Sequence, residues 1–151
     1  MIELLAPAKV NLCLRVFGKT DSGLHNLDSI VVFCQFGDKL RIRLAAQGSV
    51  DICGPRAPML PATNSAEYLV STARDAVRDN GGKCEPVAIH LEKYIPVGAG
   101  LGGGSADAAA VLRGLNKLAT TPLPHETLFA IAADLGSDVP VCLTDRKKHS
   151  L

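Results

Sequence analysis

The chain has 151 residues, of which 47% are hydrophobic and 21% charged, so it is rich enough in apolar residues for one ordinary domain, or part of a larger one, and too rich for disorder. Sixteen Lys and Arg against fifteen Asp and Glu leave a net charge of +1, which excludes a general nucleic-acid-binding surface and a polybasic membrane anchor. No apolar run reaches bilayer-spanning length, and MIELLAPAKVNL lacks the basic-then-apolar order of a signal or transit peptide, so a cytoplasmic location is expected.

The first half reads as strands. Val10, Leu12, Leu14 and Val16 alternate with Asn11, Cys13 and Arg15, the period of a half-buried strand. Residues 18–23, GKTDSG, form a turn-rich loop. Residues 30–36 are apolar and fit a buried strand or a short helix; periodicity does not decide between them. Leu40, Ile42 and Leu44 alternate with Lys39, Arg41 and Arg43, a strand with a solvated basic face, and residues 49–53 are its expected partner. Pro55, Pro58 and Pro61 then break regular structure.

The middle turns helical. Asn64-Ser-Ala-Glu67 resembles a capping box ahead of apolar positions at Leu69, Val70, Ala73, Ala76 and Val77, with Gly81 and Gly82 as the stop. Val87, Ile89 and Leu91 predict a strand, residues 106–118 a helix and residues 125–135 another, ended by Gly136. Residues 139–143 read as the start of an extended segment, and residues 145–151 as a polar tail. The mixture predicts an α+β fold with strands grouped early and helices packed on one face. Five cysteines, none in a CxxC pair or near a histidine at zinc-finger spacing, are expected to be buried reduced thiols; no metal site is expected from them.

Residues 96–105, PVGAGLGGGS, hold five glycines in the seven positions from Gly98 to Gly104. Such density is costly in chain entropy and implies a backbone kept bare. Ser105 is placed to cap the following helix, with Asp107 in its first turn. Bare N–H groups feeding a helix N-terminus make an anion site, and phosphate is the commonest occupant. A tight strand-to-helix connection without ligand is the competing structural reading. A Walker A loop fails, because no lysine precedes Ser105. A dinucleotide fingerprint is formally matched by Gly98, Gly100 and Gly103, but the acid expected about 20 residues on is missing.

Residues 96–106, PVGAGLGGGSA, match throughout the glycine-rich loop of the GHMP kinase superfamily, P-x-x-x-G-L-G-G-G/S-S-A. Residues 6–12, APAKVNL, residues 22–25, SGLH, and residues 135–140, LGSDVP, resemble in order three further motifs of the 4-diphosphocytidyl-2-C-methyl-D-erythritol kinase family. The resemblance implies the N-terminal half of a GHMP kinase, residues 1–151 being its ATP-binding domain, with no counterpart here of the family's C-terminal domain. A truncated chain is therefore expected, with an exposed apolar inner face that favours aggregation or dimerisation.

The resemblance implies phosphoryl transfer from ATP, accompanied by Mg2+, to a hydroxyl of a diphosphocytidyl-methylerythritol substrate in the non-mevalonate isoprenoid pathway. That chemistry needs positioning and charge neutralisation. Asp138 is the implied base, although an acid at that spacing often simply caps a turn. Lys9 is the implied cation beside it, although a lysine there is commonly solvated. Pro96, Val97, Gly98, Ala99, Gly100, Leu101, Gly102, Gly103, Gly104, Ser105 and Ala106 would hold the nucleotide, with Asn64 and Lys93 on the adenine side. Asn11, two residues from Lys9 on one strand face, and His25 would bind substrate. Ser105 is the nearby hydroxyl for Mg2+, and no acidic cluster marks a protein-only metal site. Leu24 stands where the family has a tyrosine that stacks on cytosine, which implies weaker or looser cytidine recognition. Two alternatives stay open: a nucleotide-binding fragment without turnover, and a related kinase acting on another alcohol. The expected partner in every kinase reading is a small molecule, not a nucleic acid or a membrane.

Overall fold

The computed structural model describes residues 1–19, 25–60, 66–82 and 85–144. Two long strands, β1 (Ile2–Lys19) and β2 (His25–Leu44), run antiparallel from Ile2 opposite Ile42 out to Lys19 opposite His25. A short strand β3 (Ser49–Cys53), helix α1 (Ala66–Asp79) and strand β4 (Val87–Glu92) follow. Helices α2 (Gly103–Leu118), α3 (His125–Leu135) and α4 (Val139–Leu143) complete the order. The strands form one mixed sheet in the order β1-β2-β4-β3.

Strand β4 explains that order. Its inward positions Val87, Ile89 and Leu91 are all buried, so it needs neighbours on both edges. It pairs antiparallel with β2 and parallel with β3, making the rows Ile42–Ile89–Val50 and Leu40–Leu91–Ile52. The expectation that residues 49–53 pair with residues 40–44 is therefore wrong. Adjacency in sequence yields to the strand with the most apolar surface to cover.

Helix α2 lies across β1 and β2, with α1 and α4 packed beside it. Ala106, Ala108, Ala109 and Ala110 are fully buried, and these short side chains let the helix sit close to the sheet. Gly114 approaches closest: a Cβ there would collide with Ile42 Cδ1. The helices thus cover one face, as expected, while Arg41, Arg43, His90 and Glu92 project from the other.

Three further expectations need correction. Residues 139–143 are a one-turn helix, not an extended segment. Pro140 in its first turn has the fixed φ a helix start requires, and Val139, Cys142 and Leu143, at helical spacing, share one buried side. Beyond Val10 the β1–β2 pair projects as a limb: Leu12, Leu14, Val16, Phe17 and Ile30 are exposed, so neither the half-buried strand nor the buried segment at 30–36 holds. Finally, of the four cysteines described, only Cys142 is buried, Cys34 and Cys53 are half-buried and Cys13 is exposed. Residues 20–23 of the expected loop, Asn64 and Ser65 of the expected capping box and the expected tail 145–151 lie outside the described residues, while residues 18–19 continue β1.

Candidate active site

Strand β4 hands the chain to the glycine loop. Positive φ angles at Gly98, Gly100 and Gly102 turn it back before α2 begins. Gly102, not Ser105, is the residue that starts the helix: its φ is +65° and no side chain caps that end. The glycine wins because the turn demands a left-handed residue at the boundary. Ser105 falls inside the first turn, where the helix's leading N–H groups have no partner within the helix. Asp107 lies beyond that turn and points inward. The loop walls a cavity of about 310 Å³ with Leu60, Lys93 and Ile95 completing its lining. Unpaired N–H groups at a helix N-terminus, opening on a hollow of that size, suit an anion such as a phosphate chain.

Lys9 closes one side of this loop. Its N–H donates to Leu101 O at 2.8 Å, which ties β1 to the loop. Its side chain runs beneath Gly102, where a Cβ would meet Lys9 Cε at 3.2 Å. Although the residue is 3% exposed, its Nζ reaches Asp138 Oδ2 at 3.3 Å and donates to Asn11 Oδ1 at 3.2 Å. Asp138 sits at the N-cap position of α4 yet makes no side-chain capping bond, and its side chain is half exposed. The carboxylate is thus turned away from its usual backbone duty and toward a lysine beside the anion hollow. Lys9, Asn11 and Asp138, expected together from sequence, are together here.

Lys93, expected on the adenine side of the nucleotide, lines the hollow beside the loop and also holds a buried cluster. It is buried under the loop, bonded to Asp38 Oδ2 and, at 2.6 Å, to Asp107 Oδ2. Asp38 Oδ1 also accepts the N–H groups of Tyr94 and Ile95, at 2.5 and 2.8 Å, which pins the chain entering the loop. Burial works against the Lys93 ammonium, but Asp107 and Asp38 outweigh it and hold its pKa above the usual lysine value. Burial pushes the Asp107 carboxyl up to about 8, against the pull of Lys93, and its Oδ1 has no hydrogen-bond partner among the described residues. Lys93 still borders the hollow: a Cβ on Gly103 would lie 3.6 Å from its Nζ.

The remaining expected residues divide. His25 begins β2, but its side chain lies outside the described residues, as do Leu24 and Asn64 altogether. The sequence reading missed Asp38 and Ser29. Ser29 Oγ, on the opposing strand, shares its one hydrogen between Cys13 O at 2.7 Å and Asn11 Oδ1 at 3.1 Å and so stands beside Asn11. Neither carried a local signal; only strand register brings them in. Among the described residues no group of three or more His, Cys, Asp or Glu side chains is arranged to hold a metal ion.

Residues 67–146 match the family model for the GHMP kinases N terminal domain. The chain is 50% identical over 143 residues to 4-diphosphocytidyl-2-C-methyl-D-erythritol kinase of Brucella abortus biovar 1, covering 94% of this chain and 47% of that protein. It is 48% identical over 145 residues to the kinase of the same name from Agrobacterium fabrum, covering 93% and 48%. A crystal structure of 4-(cytidine 5'-diphospho)-2C-methyl-D-erythritol kinase superposes with a TM-score of 0.69 at 38% identity, over 94% of this chain and 48% of that one. Homoserine kinase from Cytophaga hutchinsonii, at 22% identity and a TM-score of 0.57 over 95% of this chain and 42% of that one, shares the fold. The chain spans about half the length of the curated relatives it matches.

Proposed function

The chain belongs to the GHMP kinase family, and from that premise we propose that it carries the nucleotide-binding half of a reaction that phosphorylates a hydroxyl of 4-diphosphocytidyl-2-C-methyl-D-erythritol with ATP. Residues 1–151 are read as the N-terminal, ATP-binding domain of that kinase, working on a small molecule in the cytoplasm. One observation carries the reading: Asp138 leaves its helix end uncapped and meets Lys9 at 3.3 Å beside the glycine loop.

The roles follow from the chemistry. The leading N–H groups of α2 and the loop backbone hold the nucleotide phosphates. Asp138 accepts the proton of the substrate hydroxyl as its oxygen bonds to phosphorus. The Lys9 ammonium offsets negative charge on the transferring group and orients the carboxylate. Asn11, held by Lys9 and standing beside Ser29, bonds substrate oxygen, and His25 belongs to the same substrate site by the motif match alone. Mg2+ suits this site as an ion carried by the phosphates: Ser105, at the loop's end, offers a hard hydroxyl oxygen, and when bound the ion neutralises phosphate charge. Lys93 is assigned here to holding the loop, through Asp38 and Asp107, and not to the adenine ring.

The test measures ADP release from the purified chain with ATP and the diphosphocytidyl substrate, alongside ATP binding by calorimetry. Release that falls by about 10²–10⁴-fold in Asp138→Asn, with ATP affinity kept, supports the proposal. ATP binding without release in the unaltered chain supports the second reading, a nucleotide-binding fragment. Failure to bind ATP at all overturns both.

A further inference from the structure

The uncovered face of the sheet carries a second constellation, independent of the glycine loop. Register sets Arg41, His90 and Asp51 in one row across β2, β4 and β3, and Lys39, Glu92 and Cys53 in the next. Residues directly opposite one another share a face, so these side chains rise together from the side that none of the described helices covers. His90 Nδ1 lies 2.7 Å from Asp51 Oδ2, and His90 Nε2 lies 3.4 Å from Cys53 Sγ. A carboxylate only accepts, so Nδ1 carries the hydrogen and Nε2 presents its lone pair to the thiol. Glu92 Oε1 stands farther off, 3.7 Å from Nε2, and Glu92 is engaged by Arg41 and by the Tyr94 hydroxyl at 2.9 Å. Nucleophile, base and orienting acid are thus in sequence.

The surroundings narrow the chemistry. Acyl transfer needs N–H donors converging on an oxyanion, but the N–H groups of a sheet lie in its plane, not above it. Thiol–disulfide exchange has no such requirement. His90 and Asp51 line a groove of about 320 Å³ together with Arg41, which pairs with Glu92, and Arg43, whose guanidinium suits a carboxylate.

We propose that Cys53, His90 and Asp51 form a thiol-modification site that exchanges with small disulfides bearing carboxylates. As Cys53 Sγ attacks one sulfur of the disulfide, His90 Nε2 takes the thiol proton. The disulfide S–S bond breaks, a new S–S bond joins Cys53 to one half, and the other half leaves as a thiolate that takes the proton back from His90. Cys53 is oxidised and the departing half reduced, so the exchange balances. Burial, then the charges of Glu92 and Asp51, raise the Cys53 thiol above its usual range against the opposing pull of Arg41. The thiol therefore stays protonated at neutral pH, and its reaction depends on the histidine.

The experiment incubates the full chain with glutathione disulfide and maps the mixed disulfide among Cys13, Cys34, Cys53, Cys84 and Cys142 by mass spectrometry. Cys53 is modified faster than exposed Cys13. His90→Gln slows Cys53 by about tenfold or more at pH 7, and the gap closes at high pH, where solvent removes the thiol proton. The unaltered chain gives a variant-free readout: its Cys53 rate climbs less than tenfold per pH unit between pH 6 and 9. A full tenfold climb per unit, a rate unchanged by both His90→Gln and Asp51→Asn, or modification confined to Cys13 overturns the site. Equal or faster reaction with cationic cystamine overturns the preference for carboxylates.

Discussion

Two lysines flank the glycine loop, each 3% exposed, and they face different surroundings. Lys9, in front, reaches a half-exposed carboxylate on a one-turn helix and an exposed asparagine. Lys93, beneath, is enclosed by two carboxylates with no exposure of their own. The front pair retains solvent access and an unused carboxylate edge, which chemistry on a ligand requires. The lower cluster is committed to the fold: it ties β2, the entry to the loop and α2 into one body. A buried cation with two acids positions a loop; a cation shared with a half-wet acid is free to act on what the loop holds.

The largest effect that would break this contrast is loss of the lower cation. Lys93→Met leaves Asp38 buried without its ammonium and should cost about 3–5 kcal/mol in thermal or denaturant unfolding. A cost near zero would place Lys93 with Lys9 as a site residue. The pH dependence comes next. The Asp107 carboxyl, raised to about 8 when folded, holds a proton that the unfolded chain has already released. Its contribution is complete below the ordinary carboxylate range and is lost as pH rises toward 8. The wild type therefore loses stability relative to Asp107→Asn by at most about 1.4 kcal/mol per pH unit, and stops losing above that pH. Urea unfolding of both proteins from pH 5 to 9 measures the difference; a constant gap would show Asp107 ionised in the fold.

Gly102→Ala puts a side chain at φ +65° and against Lys9, so it should cost about 1–2 kcal/mol and weaken binding of a non-hydrolysable ATP analogue, read by calorimetry. The smallest change in stability belongs to the residue expected to matter most in chemistry. Asp138→Asn breaks a half-exposed ion pair and no capping bond, so unfolding shifts by less than about 1 kcal/mol. A large shift would make Asp138 a structural residue and remove the distinction between the two lysines.

Much of this was readable from the chain itself. Alternation along residues 87–91 located β4, and helical spacing with Gly136 as its stop located α3 within its observed bounds. The glycine run located the loop, because only a backbone stripped of Cβ atoms turns at three left-handed positions in so short a length. The two-residue spacing of Lys9 and Asn11 put both on one strand face, where they now touch. Local rules of chain geometry carry such information, since each involves residues within one turn or one pleat.

Other features belong to the tertiary structure alone. Asp38 lies 55 residues before Lys93, and no local pattern marks either as buried; the pairing appears only when β2 and β4 align. The same register assembles Asp51, Cys53 and His90 from two strands. The insertion of β4 between β2 and β3, and the collapse of residues 139–143 into a helix, were decided by which apolar surfaces compete for one core. That competition is a property of the whole chain, because burying one strand's surface depends on what every other element leaves uncovered.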